Sequence, residues 1–198
     1  MRLEPSRRAV MLGSVGTAAT AALVGCGGQQ AEVDQPLRIK AADTTMFQRN
    51  FNPYSGAPLQ GANGLIYEPL QITTAMDTDN PEPWLATDFV WNEDGTVLTV
   101  TLREGVTWTD GEPFDAEDVV FTFLMMRDNP ATNTSALPIE DAVASDDYTV
   151  ELSFGTTMFV QEPTIGSMPI VPEHIFSQFD DPSAEQVEAP VGTGPYAL

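Results

Sequence analysis

Cysteine and histidine are nearly absent: 198 residues carry one of each. With Cys26 the only thiol, no disulfide forms within the chain, so burial and hydrogen bonding must stabilise it. His174 alone makes no histidine cluster for a metal. A nucleophilic triad needs a serine and an acid near it, and no Gly-x-Ser-x-Gly elbow occurs. Basic residues are also scarce, with Lys+Arg at 8 against Asp+Glu at 29, a net charge of −21. Beyond residue 25 the balance is 5 basic against 28 acidic residues, a net charge of −23. Without a basic patch to neutralise phosphates, nucleic acid is excluded as a natural partner. Close approach to an anionic lipid surface is disfavoured for the same reason. A long hydrophobic run is missing too. Ala9 to Gly25 carries no charge, yet it is short and rich in Gly, Ala and Thr for a membrane span.

What is present begins with Arg2, Arg7 and Arg8, followed by that uncharged stretch and small residues. This pattern predicts a secretory signal peptide over 1–25, the alternative being a retained anchor helix. Leu23-Val24-Gly25-Cys26 resembles the bacterial lipobox, in which the cysteine is acylated and becomes the first mature residue. The resemblance implies lipid attachment at Cys26. Gly27-Gly28-Gln29-Gln30-Ala31-Glu32 reads as part of a flexible tether over 26–36. That flank offers no electropositive setting that would activate a catalytic thiol. Ser6-Arg7-Arg8-Ala9-Val10 is also similar to a twin-arginine export signal; general export is the alternative.

The remainder is long enough for one good core, and its 16 prolines predict many loops. Leu37 to Ala41 alternates like a half-buried strand. Gly64 to Leu70 reads as a short helix stopped at Glu68-Pro69. Phe89-Val90-Trp91 and Val97 to Leu102, joined through Asp94-Gly95, read as a hairpin. Val106 to Trp108 is a further short strand, turned by Asp110-Gly111. Asp115 caps a helix whose buried face is Val119, Val120, Phe123 and Leu124, ending at Asn129-Pro130. Tyr148 to Phe154 alternates as a strand, and Pro172 opens another short helix.

The acids between Trp91 and Asp118 suggest the paired carboxylates of a sugar-cleaving site. Each has a local task instead. Asp94 and Asp110 precede glycines in turns, Asp115 caps, and Glu117 and Asp118 favour the helix dipole. No catalytic residue is therefore nominated, and an exported hydrolase is the lesser alternative. Asp77-Thr78-Asp79-Asn80 starts like a calcium loop, but Pro81 and Glu82 stand where a ligand and the turn glycine belong. No metal or cofactor is expected. Gly192-x-Gly194-Pro195 is no phosphate loop, because proline lacks the N–H. The segment 44–67 is the candidate ligand surface. Phe51, Asn52, Tyr54, Asn63 and Tyr67 combine flat aromatic faces with amides able to line a pocket. The competing reading is a loop packed onto its own domain.

The stretches NFNPYS (50–55), GLIYEPL (64–70), the block from Pro83 to Phe123, PIVPEHIF (169–176) and VGTGPYAL (191–198) occur in an order that resembles bacterial extracellular solute-binding proteins, family 5. The resemblance implies an α/β, periplasmic-binding-protein-like type II fold. It implies the start of a first lobe over 37–60 and an extra α+β subdomain over 61–186. The chain would return to the lobe over 187–198 and stop before a second lobe. It further implies an exported, lipid-anchored receptor on the outer face of the cytoplasmic membrane. Such a receptor captures oligopeptides, or oligosaccharides, and hands them to an ABC permease without catalysis.

Overall fold

The computed structural model describes residues 49–59, 61–74 and 77–196. The signal peptide, Cys26, the tether and the strand expected at Leu37 to Ala41 lie outside the described residues. The four-stranded antiparallel sheet has the order β3-β4-β6-β5, where β3 is Ala86–Trp91, β4 Val97–Leu102, β5 Ile139–Asp146 and β6 Thr149–Phe154. The predicted hairpin is its first half. Trp91 opposes Leu98, and Gly95 takes φ 66° in the turn, a left-handed conformation that glycine adopts without strain. Leu98, Val100 and Leu102 alternate onto one face with Val150, Leu152 and Phe154 of β6.

Helix α2, Ala116–Asp128, covers that face. Asp115 accepts a hydrogen bond from the Glu117 N–H, and Asp118 completes a reciprocal capping box. Val119, Val120 and Phe123 are buried as expected, together with Met125 and Met126; Leu124 is only partly so. Trp108 and Phe114 meet edge to face at 5.9 Å and close the core before the helix begins.

Five features depart from the sequence expectations. The helix expected over Gly64 to Leu70 is a single turn, α1 at Ala62–Leu65, interrupted by Asn63 at ψ 127° and Gly64 at φ 83°. Tyr67 and Pro69 then join isolated bridges on either side of Glu68, whose place before proline disfavours a continued helix. Val106 to Trp108 forms no strand, only a bridge between Thr107 and Pro113. Strand β5 has no clean alternation to reveal it, because its register shifts at both ends of the pairing with β6. The hairpin of β1, Gln71–Thr74, with β2, Asp77–Pro83, uses a strand with two prolines, tolerated where pairing is needed on one side only. Beyond the sheet, a 3-10 turn at Phe159–Gln161 leads into α3, Glu162–Gly166, and then α4, Glu173–Phe176. Pro172 sits at the cap of α4, one residue before the position expected.

Candidate ligand-binding surface

Four of the five residues nominated for ligand contact lie inside the fold. Asn52 is fully buried and acts as a clamp. Its amide donates to the Pro182 carbonyl at 2.6 Å and to the Glu185 carbonyl at 2.9 Å, and its oxygen accepts the Tyr54 N–H at 2.9 Å. The Phe51 N–H donates to the Val187 carbonyl at 2.8 Å. The Tyr54 hydroxyl donates to the Pro169 carbonyl at 2.7 Å. Tyr67 stands edge to face with Phe176 at 6.1 Å, and its buried hydroxyl has no partner among the described residues. Burial pushes both tyrosine hydroxyls above the ordinary phenol range. Asn63 alone is exposed.

The segments 49–70 and 182–194 therefore meet as one junction. Glycines permit its closest approach. A Cβ on Gly192 would lie 2.1 Å from the Ile66 carbonyl oxygen, and one on Gly194 2.4 Å from that of Leu65. The Gly194 N–H donates to the Ile66 carbonyl at 2.9 Å, and the Thr109 N–H donates to Gly192 at 2.9 Å. The motif read above as unsuited to phosphate is thus a backbone fastener.

Three acids of the 91–118 block, Asp110, Asp115 and Asp118, have structural partners. Asp110 accepts the Glu112 N–H at 3.2 Å and faces His174 Nε2 at 2.8 Å on the surface. Asp118, expected only to favour the helix dipole, does more. It accepts from Trp108 Nε1 at 2.9 Å, from the Asp115 N–H at 3.3 Å and from the Glu173 N–H at 2.9 Å. Burial pushes its carboxyl up, against the downward pull of those three donors. One carboxylate thus ties the Trp108 turn, α2 and α4 together.

Cavities open on the surface in two places, among others, within the described residues. A groove of about 270 Å3 runs between α2 and α4, lined by Phe121, Leu124, Met125, Phe176 and Phe179 among others. A larger one, of about 350 Å3, is lined by Glu68, Trp84, Leu85, Arg103, Val106 and Thr193. Sequence reasoning missed this second group. Its one signal was a carboxylate, Glu68, placed between apolar neighbours in Tyr67 and Pro69-Leu70. Among the described residues, no three His, Cys, Asp or Glu side chains gather to hold a metal ion, and no helix is long and apolar enough to cross a membrane.

The profile of bacterial extracellular solute-binding proteins, family 5 Middle, matches residues 80–198. The chain belongs to this family. Protein XP55 of Streptomyces lividans is 33% identical over 171 residues, covering 80% of this chain and 30% of that protein. The nickel-binding periplasmic protein of Escherichia coli K12 is 34% identical over 157 residues, covering 74% of this chain and 29% of that one. The periplasmic oligopeptide-binding protein of a Thermotoga maritima oligopeptide ABC transporter superposes with a TM-score of 0.68 at 32% identity, covering 76% of this chain and 29% of that one. Its mannohexaose-bound form gives 0.67 at 32% identity, with 75% and 28% covered. The mixed α/β architecture is that of the family. The chain spans about 30% of the length of these curated relatives. The relatives named for a ligand are binding proteins.

Proposed function

We propose that this chain belongs to the exported, ligand-capturing component of an ABC importer, anchored outside the cytoplasmic membrane by acylated Cys26, and that its cargo is an oligopeptide. The observation that carries this reading is the family match over residues 80–198, on a fold shared with an oligopeptide-binding protein. The parts take the expected roles: 1–25 directs export, 26–36 is the tether, 37–60 and 187–198 belong to one lobe, and 61–186 is its added subdomain. Cargo affinity for a closed form shifts the population toward it, and the membrane permease reads that form. Asn63 meets cargo directly. Phe51, Asn52, Tyr54 and Tyr67 hold the segment that presents it.

An oligosaccharide is the second reading, favoured by the mannohexaose bound to the Thermotoga maritima relative. Titration of the purified protein with peptides and with manno- and cello-oligosaccharides, followed by heat and tryptophan fluorescence, separates the two. Saturable peptide binding without turnover supports the proposal. Binding only to sugars changes the cargo, and cleavage of either panel replaces transport by hydrolysis. Anchoring is tested apart from cargo: Cys26→Ser moves the protein from the membrane fraction to the soluble one, and persistence in the membrane fraction refutes lipid attachment at Cys26.

A further inference from the structure

The larger cavity holds two opposite charges that do not meet. Glu68 is 8% exposed, and its Oε1 accepts from Trp84 Nε1 at 2.7 Å. Its Oε2 has no hydrogen-bond partner among the described residues. Arg103 is pinned by its Nε, which donates to the Trp84 carbonyl at 2.8 Å. Its two terminal nitrogens bond no described residue, and no ion pair joins the guanidinium to Glu68. Thr193 adds a buried hydroxyl without a described partner. Leu85 and Val106 give the cavity its apolar wall, and Trp84, 40% exposed, lines it as well.

A buried hydroxyl without a partner carries a desolvation cost that a matching ligand removes, and the second Glu68 oxygen stands free to accept a further hydrogen bond. The guanidinium fork is shaped to take a carboxylate by two parallel hydrogen bonds. The free Glu68 oxygen suits an ammonium, and the Thr193 hydroxyl can serve either end. A volume of about 350 Å3 is near the small end of the ~300–1,000 Å3 usual for small-molecule sites. We propose that this cavity binds a zwitterion of amino-acid size, its ammonium on Glu68 and its carboxylate on Arg103, with an apolar side chain against Leu85 and Val106. This goes beyond the transport reading and does not depend on it, since every group named lies within the described fold.

The test is calorimetric titration of the full chain with leucine, leucinamide, N-acetylleucine and Leu-Leu. Leucine binds saturably, and removing either charge weakens binding by about tenfold or more, the scale of one lost charged hydrogen bond. Glu68→Gln abolishes the preference for leucine over N-acetylleucine while keeping an acceptor for the Trp84 N–H. Arg103→Gln abolishes the preference over leucinamide, and Arg103→Lys retains part of it if the Gln variant melts early. This crossed pattern is one that a merely structural role would not produce. Tighter binding of Leu-Leu than of leucine assigns the source to short peptides, and the reverse assigns it to free amino acids. No binding of either, equal binding of the capped analogues, or a preference untouched by the variants overturns the proposal. Longer peptides in the same instrument report on cargo separately.

Discussion

Around α2, the fold is held by apolar side chains from facing surfaces. Leu98, Val100, Val150 and Leu152 of the sheet lie under Val119, Phe123 and Met126 of the helix. At the junction of 49–70 with 182–194, the same task falls to polar groups and bare backbone. Asn52 binds three main-chain groups, Asn50 Oδ1 accepts the Asn52 and Val187 N–H groups, and Gly192 and Gly194 lie against Leu65 and Ile66. The first region tolerates hydrophobic exchange at constant volume. The second depends on geometry that few other residues can supply. The residues that looked most like a binding site were those closing the junction, because amides and aromatics suit both tasks.

The contrast can be broken most forcefully from the packed side. Trp108→Ala empties the place of a large buried ring and strands the Asp118 acceptor, costing about 3–5 kcal/mol in urea unfolding. A smaller loss would mean that the core relaxes around the gap. Gly192→Ala drives a methyl group into the Ile66 carbonyl and costs about 1–3 kcal/mol, as overpacking does. Amide exchange locates that loss at Thr109 and Gly194 rather than in the sheet; a loss spread evenly would erase the distinction between the regions. Asn52→Ala, which strands the buried Pro182 carbonyl, the part-buried Glu185 carbonyl and the Tyr54 N–H, costs about 1–3 kcal/mol. Asn63→Ala, at the surface, stays within about 0.5 kcal/mol and, on the proposed function, weakens cargo binding. The reverse pattern of melting would refute the buried clamp.

The finest test concerns pH. The folded pKa of Asp118 is raised above its ordinary value of 3.8, mainly by burial. Its contribution to stability is therefore fully present below the unfolded pKa and is lost as pH rises through the raised folded value. Asp118→Asn removes this loss, so the difference between variant and wild-type unfolding free energies changes across that window. A constant difference would place the carboxyl at its ordinary value.

Legibility in the sequence follows range. The hairpin at Asp94-Gly95 and the capped start of α2 are specified by residues within a few positions of one another, and both were readable. Strand β5 was hidden because its bulges break the alternation on which detection rests. The hairpin of β1 and β2 was hidden because Pro81 and Pro83 argue against a strand unless its partner is known. Glu68, Trp84, Arg103 and Thr193 come from four separated segments, and no local pattern brings them to one cavity. The proposed lobe and subdomain boundaries rest on family resemblance alone, with no local signal of their own.

The Gly194 to Ile66 hydrogen bond also orders events in time. It closes a loop that contains the whole sheet and α2, so its entropic cost falls on the chain as one long closure. The hairpin of β3 and β4 needs only a short closure and forms on its own schedule. The sheet and helix can assemble while residues 49–66 still wait for their counterpart, since only Pro69 and Leu70 bond the nearby start of β3. The junction is thus a clasp fastened after the garment is already in shape, and its amides gain protection last.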